Sequence, residues 1–276
     1  MKLMRLKTTL ILAVVFFPLL CPMAKGDAPA GDTKARYLIV ASDTLLAGMA
    51  EALAPSHRYS VKTILPPGQC PGHYDVKLSD IEKVQKADLV LSFRGMPFMG
   101  KVHAGSRNGS VIDNDGKNWM APDFYIMGLN RMADELALRF PVDRNEILQR
   151  KEAAVRLIRD EAKRLRQKAE QAGLPGRAVL ASSLQKDQLE WMGLRVAGVY
   201  GRPESLSARD VVRLVRTGRE ERVIAVVDNL QSGPDAGKGI AASLSVPHLV
   251  LTNFPSEKGY LATLGENVDV LAAAVQ

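Results

Sequence analysis

One segment near the middle of the chain constrains the fold most. Residues 144–172 contain neither Gly nor Pro and are rich in Glu, Lys, Arg, Gln and Ala. Its apolar residues recur at steps of three, four and seven, at Leu148, Val155, Ile158, Ala162, Leu165 and Ala169. This spacing predicts one apolar stripe on a helix of about 29 residues, roughly 43 Å long. Such a helix packs along its length against the rest of the chain, with a coiled coil as the alternative.

Both flanks of this helix alternate short β-rich runs with helical patterns. The predicted strands are 36–42, 61–65, 88–93, 110–112, 178–181, 194–200, 222–227 and 248–252. The predicted helices are 44–54, 79–86 (capped by Ser79), 206–216, 236–244 and 268–275. Alternation of this kind favours parallel βαβ units. We therefore predict an α/β protein with two lobes, residues 27–143 and 173–276, joined by a rigid backbone helix over 144–172. A ligand cleft is expected between the lobes, outside the carboxyl ends of the strands.

The N-terminus has the pattern of an export signal. Basic residues in 1–7 precede an apolar run over 10–20, which has about half the length that a membrane span needs. Small residues follow, so a signal peptide over 1–26, cut near Gly26, is expected. Lipid attachment at Cys21 and a retained anchor are the alternatives. The mature protein would be periplasmic.

Charge and motifs exclude several classes of function. The formal net charge is +7, but Lys2, Arg5, Lys7 and Lys25 lie in the leader, which leaves +3 for the rest. This weak excess gives no case for a nucleic-acid partner. Signatures of hydrolases and zinc proteases are absent from the sequence, so no enzyme is predicted. Cys70 is the one cysteine outside the leader, which excludes an internal disulfide in the mature chain.

Several segments together resemble one family. Residues 66–81 read Pro-Pro-Gly-Gln-Cys-Pro-Gly-His-Tyr-Asp-Val-Lys-Leu-Ser-Asp-Ile, followed by Ala-Asp-Leu-Val-Leu at 87–91. Asn-Trp-Met-Ala-Pro at 118–122, Val-Val-Asp-Asn at 226–229 and Leu-Thr-Asn-Phe at 251–254 follow in order. These segments resemble the zinc/manganese-type solute-binding proteins of bacterial ABC importers. The resemblance covers nearly all of residues 35–276 and implies the two-lobe fold and an inner-membrane ABC permease as partner.

The resemblance also implies positions for the metal ligands, and most of them differ here. That family holds its metal with three or four His, Glu or Asp side chains. The first falls on His73, the second on Lys117, the third on Ser182 or Ser183, and the fourth on Asn253. Ser and Asn are weak neutral ligands, and a protonated Lys repels a dication. One of the four ligands is thus retained.

Two interpretations of the site follow from the residues present. In the first, Cys70 and His73 bind a thiophilic metal, with Met96 and Met99 as further soft donors. In the second, Arg94, Lys117, Ser182, Ser183 and Asn253 line the cleft and bind an anion or an anionic metal chelate, such as a metallophore. Asp228, a carboxylate near a cleft landmark, is a weaker candidate in either case.

The sequence therefore predicts a periplasmic solute-binding component of an ABC importer that captures a transition metal. Zn, Mn, Fe and Cu all remain open as the metal, which the protein would deliver to a membrane permease. The alternatives are a binder of an anionic metal chelate and an exported metal chaperone on the same scaffold. His73 and Cys70 are the predicted metal ligands.

Overall fold

The structure is a computed structural model that describes residues 37–103 and 108–275. The strands are β1 Tyr37–Ala41, β2 Tyr59–Thr63, β3 Leu89–Phe93, β4 Gly109–Ile112, β5 Ala178–Ser182, β6 Arg195–Tyr200, β7 Ala225–Asn229 and β8 His248–Leu251. The helices are α1 Thr44–Leu53, α2 Leu78–Lys86, α3 Met99–His103, α4 Pro122–Arg139, α5 Arg144–Gln171, α6 Lys186–Trp191, α7 Ala208–Glu220, α8 Lys238–Leu244 and α9 Tyr260–Ala273. The predicted leader, with Gly26 and Cys21, lies outside the described residues.

The strands form two four-stranded parallel sheets with equivalent topology. Their orders are β2-β1-β3-β4 and β6-β5-β7-β8, and every observed pairing is parallel. In each sheet the strand that comes first in the sequence pairs with the next two strands of the sequence, one on either side. The direction in which successive strands are added to the sheet therefore reverses at this strand. Ligands of open α/β sheets bind near such reversals, at the carboxyl ends of the strands. The predicted fold class is confirmed.

Helix α5 is the predicted long helix and contains 28 residues. Its buried residues are Ile147, Val155, Ile158, Leu165 and Ala169, which lie on one face because their spacing follows the helical repeat. The helix packs most extensively on α4 and also on α1 and α9. It therefore contacts elements that precede it and one that follows it, and it joins the lobes along a continuous core.

Direct contacts across the seam between the lobes add to this link. The ring of Tyr260 in α9 stacks on that of Tyr125 in α4, with centroids 3.6 Å apart, and its hydroxyl donates to the Met120 carbonyl at 3.0 Å. The Thr44 hydroxyl donates to the Pro255 carbonyl at 2.8 Å. Because these groups are buried or half-buried, the seam resists large rotation of one lobe against the other.

The structure differs from the sequence prediction mainly in two helices. Helix α4 was not predicted, although Pro122 stands at its first turn, where the missing N–H of proline has no cost. Helix α9 begins at Tyr260, eight residues before the predicted start at 268. Ser79 does not cap α2, which begins at Leu78 and follows Lys77. Among the described residues, no helix combines the length and the apolar character needed to cross a bilayer.

Candidate functional site

A cleft of about 330 Å³ lies on the seam between the lobes. It is bordered by segments that follow β3, β5, β6 and β8, as expected for the carboxyl edge of two parallel sheets. Its polar lining consists of Arg94, Asn114, Lys117, Asn118, Ser183, Asp187, Arg202, Ser232 and Asn253. Its apolar wall includes Leu45, Phe93, Met96, Trp119 and Phe254. Four positions predicted to line a cleft, Arg94, Lys117, Ser183 and Asn253, are thus brought together.

Lys117 stands at the position that the sequence resemblance assigns to a second ligand, and a carboxylate lies near it. Its Nζ is 4.0 Å from the Asp187 carboxylate and 5.3 Å from the centroid of the Phe124 ring. Asp187 also accepts a hydrogen bond from the backbone N–H of Asn118 at 2.8 Å. The carboxylate is therefore shared between a backbone donor and a loosely held ammonium group, which leaves part of the positive charge of Lys117 available to the cleft.

Arg94 and Arg202 bring two further positive charges to the cleft. The Arg94 Nε donates to the Asp113 carboxylate at 2.6 Å, and this ion pair contributes to lowering the pKa of Asp113, after the backbone N–H of Asp115. Arg202 has no carboxylate partner among the residues that the structure describes. Three cationic side chains thus line the cleft against one carboxylate, that of Asp187. Such a surface attracts anions and repels bare cations.

Asn253 stands at the position that the sequence resemblance assigns to a fourth ligand, and the Asn229 amide lies beside its side chain. The Asn229 side-chain oxygen accepts from the backbone N–H groups of Gln231 and Ser232, at 3.3 and 3.1 Å. In this orientation the Asn229 Nδ2 lies 3.1 Å from the Asn253 Oδ1. In the opposite orientation the Asn229 oxygen accepts from the Gln185 Nε2 at 2.7 Å. The Asn253 side chain supplies an amide, which has both a donor and an acceptor, at the edge of the cleft.

Cys70 and His73 line a second pocket, of about 260 Å³, rather than the cleft. This thiol pocket also lies between the lobes, since residues 203–204 and 230–234 form its opposite side. Cys70 is a free, half-buried cysteine, and His73 is exposed at the end of a single 3-10 turn that begins at Pro71. Pro71 borders the cleft itself. The turn therefore presents its proline to one pocket and its thiol and imidazole to the other.

The donors present do not fit a four-coordinate ion held by side chains alone. Within the described part of the chain, no three His, Cys, Asp or Glu residues are grouped closely enough to hold a metal. Structural zinc sites use four such ligands and catalytic sites three. Cys70 and His73 are a pair of good donors that lack a third protein ligand.

Three of the remaining candidates lie away from the cleft. Met99 is 2% exposed and belongs to the apolar core under the first sheet, so it cannot contact a ligand there. Asp228 is fully buried and accepts from Tyr200 at 2.7 Å, from the Gly237 N–H at 2.8 Å and from His248 at 2.7 Å. Ser182 ends β5 as a buried residue, whereas its neighbour Ser183 lines the cleft. Met96 lines the apolar wall.

Sequence reasoning missed Arg202, Asn114, Asn118, Asp187 and Ser232. A signal for Arg202 was present, because it follows the carboxyl end of β6 as Arg94 follows that of β3. Asp187 and Asn118 gave no such signal. They meet across the seam, 69 positions apart in the chain, through a contact that only the packing of the two lobes creates.

The fold and the seam define a two-lobed protein of the solute-binding class, built around one backbone helix. A family model described as "Zinc-uptake complex component A periplasmic" matches residues 39–274. The chain therefore belongs to this zinc-uptake component A family, which confirms the resemblance seen in the sequence.

Solved structures agree on the fold. A crystal structure of ZnuA is 18% identical, covers 88% of this chain and 100% of its own, and superposes with a TM-score of 0.72. A manganese-bound periplasmic metal-binding protein from Candidatus Liberibacter asiaticus is 16% identical over 87% of this chain and all of its own, with a TM-score of 0.73. The cadmium-bound form is 15% identical over the same shares, with a TM-score of 0.74. A search of curated proteins found no match.

Proposed function

We propose that this protein is the solute-binding component of a bacterial importer and that its cleft captures a transition metal held in an anionic chelate. One observation carries the proposal. In a chain that belongs to a zinc-uptake family, the cleft presents three cations and an amide where metal ligands would be expected. Negatively charged groups of a chelator would match these donors, because charge-assisted hydrogen bonds to Arg and Lys are the strong ones.

The size of the cleft supports an organic cargo. Its volume of about 330 Å³ is within the range of roughly 300–1,000 Å³ that small-molecule sites occupy. A bare ion with one or two waters needs far less, since a water takes about 30 Å³ in the liquid. The aromatic wall of Phe93, Trp119 and Phe254 would pack against the carbon skeleton of a chelator.

We further propose that capture requires modest closure only and that release follows docking on a membrane permease. The stacked pair of Tyr125 and Tyr260 and the long helix α5 resist opening of the seam. Delivery to a permease would therefore depend on the permease competing for the cargo. Export by the leader over 1–26 is part of this proposal, as is the absence of a catalytic role.

The direct test identifies the cargo of the exported protein. The protein is purified anaerobically and analysed by native mass spectrometry together with elemental analysis. We expect a bound mass equal to the sum of one metal ion and one organic chelator per chain. Lys117→Glu should reduce the occupied fraction, while Lys62→Glu, an exposed residue of β2, should not. A wild-type adduct that consists of metal alone would contradict the proposal.

A second candidate is favoured by the thiol pocket. Cys70 and His73 share one pocket, and thiolate and imidazole together suit a soft ion such as Cu(I). In this case the bound mass is that of one metal ion, and Cys70→Ser abolishes it. His57→Ala, at another histidine of the same lobe, serves as the control. Metal retained by the Cys70→Ser, His73→Ala double variant would exclude direct capture by these two residues.

A further inference from the structure

Arg202 occupies a boundary between the cleft and the thiol pocket. It lines both pockets, and Ser232 is the other residue that they share. Its guanidinium crosses the seam to lie against the turn that carries Cys70 and His73. A Cβ built on Gly72 would lie 2.8 Å from the Arg202 Nη1, so a larger residue there would displace the end of the arginine side chain. The side chain of Arg202 is therefore part of the wall between the two pockets.

Arg202 differs from the two other cations of the cleft in its partners. Arg94 is paired with Asp113 at 2.6 Å, and Lys117 lies 4.0 Å from Asp187. The described residues offer Arg202 no carboxylate, although Glu204 lines the same pocket. An unpaired guanidinium can bind a carboxylate with two parallel hydrogen bonds. Arg202 is thus the cation of the seam that is best placed to receive an anionic group.

We propose that the cleft and the thiol pocket together form one binding site and that the Arg202 side chain lies between its two parts. Arg202 binds a carboxylate group of the chelator and leaves Gly72. The metal can then meet the Cys70 thiolate and the His73 imidazole at coordination positions that the chelator leaves open. The Cys70 thiol loses its proton to solvent when it binds the metal. This inference rests on the proposed function.

The chemistry of the seam specifies the class of cargo. Two protein donors do not complete a four-coordinate site, so the chelator must supply the other ligands. It must also carry carboxylates for Arg202 and Lys117, and it must leave adjacent positions free for a thiolate and an imidazole. The cargo would therefore be a complex of a thiophilic divalent metal with a small polycarboxylate that does not saturate it.

Two cobalt complexes test the inference by calorimetry and absorption. Co(II)–nitrilotriacetate leaves coordination positions open, whereas Co(II)–EDTA leaves essentially none. Wild-type protein should bind both, and the nitrilotriacetate complex should show a thiolate-to-cobalt charge-transfer band. Arg202→Ala should weaken both complexes by about tenfold, the effect of losing a charge-assisted pair. Arg209→Ala, at an exposed arginine of α7, is the matched control.

Two further variants separate binding by Arg202 from simple opening of the wall. Cys70→Ser should remove the band and weaken Co(II)–nitrilotriacetate more than Co(II)–EDTA. Gly72→Ala should displace the guanidinium without removing its charge, so both complexes should still bind and the band should persist. Unchanged affinities in Arg202→Ala, or no band in the wild type, would overturn the inference while the proposed function stands. Failure of wild-type protein to bind either complex would instead count against the proposed function.

Discussion

The two pockets of the seam are neighbours with opposite chemistry. The cleft contains Lys117, Ser183 and Asn253, which the sequence resemblance places at or beside ligand positions, and it has an excess of positive charge. The thiol pocket contains Cys70 and His73, the donors that a soft metal prefers. Both pockets are built on the same turn, since Pro71 faces one and its neighbours face the other.

Under the proposed function, this difference means that a metal-uptake scaffold has changed its cargo and kept its fold. The sheets, the backbone helix and the stacked tyrosines of the seam do not depend on the ligand set. On this proposal, replacement of a few side chains at the carboxyl edge of the strands is enough to make the cleft suit an anion. Function of this kind is carried by the site rather than by the fold.

The largest expected effect is on the free energy of unfolding, and it compares a methionine of the core with a methionine of the cleft wall. Met99 is 2% exposed in the apolar core, so Met99→Ala should lower the free energy of unfolding by roughly 2–5 kcal/mol through the cavity it leaves. Met96 is half-buried at the cleft wall, so Met96→Ala should cost less stability. Chemical denaturation of the two variants measures the two losses of stability. A reversed order of stability losses would place Met96 in the core and contradict this contrast.

A buried carboxylate near the cleft gives the next effect. Burial raises the pKa of Asp43 from 3.8 to about 6, against the hydrogen bonds from Ser42, Leu46 and Leu45. The folded state then binds the proton more tightly than the unfolded state. The stability contribution is present below pH 3.8 and is lost as the pH rises towards 6.

The corresponding variant is Asp43→Asn, which keeps an oxygen for the cap of α1 but does not titrate. The difference in unfolding free energy between wild type and variant should change by about 2–3 kcal/mol across this window. Urea melts between pH 4 and pH 7 measure it. A difference that is flat with pH would show that folding does not raise the pKa of Asp43.

A charge reversal in the cleft should give an effect of about 2 kcal/mol. Lys117→Glu replaces a cation with a carboxylate in the cleft, so it should weaken binding of Zn–EDTA by about thirtyfold and strengthen binding of free Zn²⁺. Calorimetry with both probes measures the change, with Lys62→Glu as the control. Equal weakening of both probes would instead indicate damage to the cleft and not a change of its charge.

The fold was largely predictable, since its strongest signals are periodic. The apolar stripe from Leu148 to Ala169 predicted helix α5 with its C-terminal end correct to within one residue. Helix α4 was not predicted, although Tyr125, Leu129, Met132 and Leu136 follow a helical repeat.

The site was less predictable because its geometry depends on contacts between distant segments. Arg94, Lys117, Ser183 and Asn253 follow strands or loops that the sequence placed at one edge, and they do line the cleft. Cys70 and His73 were expected in the same cleft but occupy the neighbouring pocket. The 3-10 turn lies against Arg202 and shares its pocket with residues 230–234, and the sequence does not reveal this proximity between distant segments.

The central claim is that the cleft recognises negative charge rather than a bare cation. Titration of the wild-type protein with Zn²⁺ and, separately, with the anionic complex Zn–EDTA tests it most directly, at two salt concentrations. We predict that Zn–EDTA binds, that its affinity falls as salt rises, and that free Zn²⁺ binds more weakly. Tight, salt-insensitive binding of free Zn²⁺ with no binding of Zn–EDTA would contradict the account.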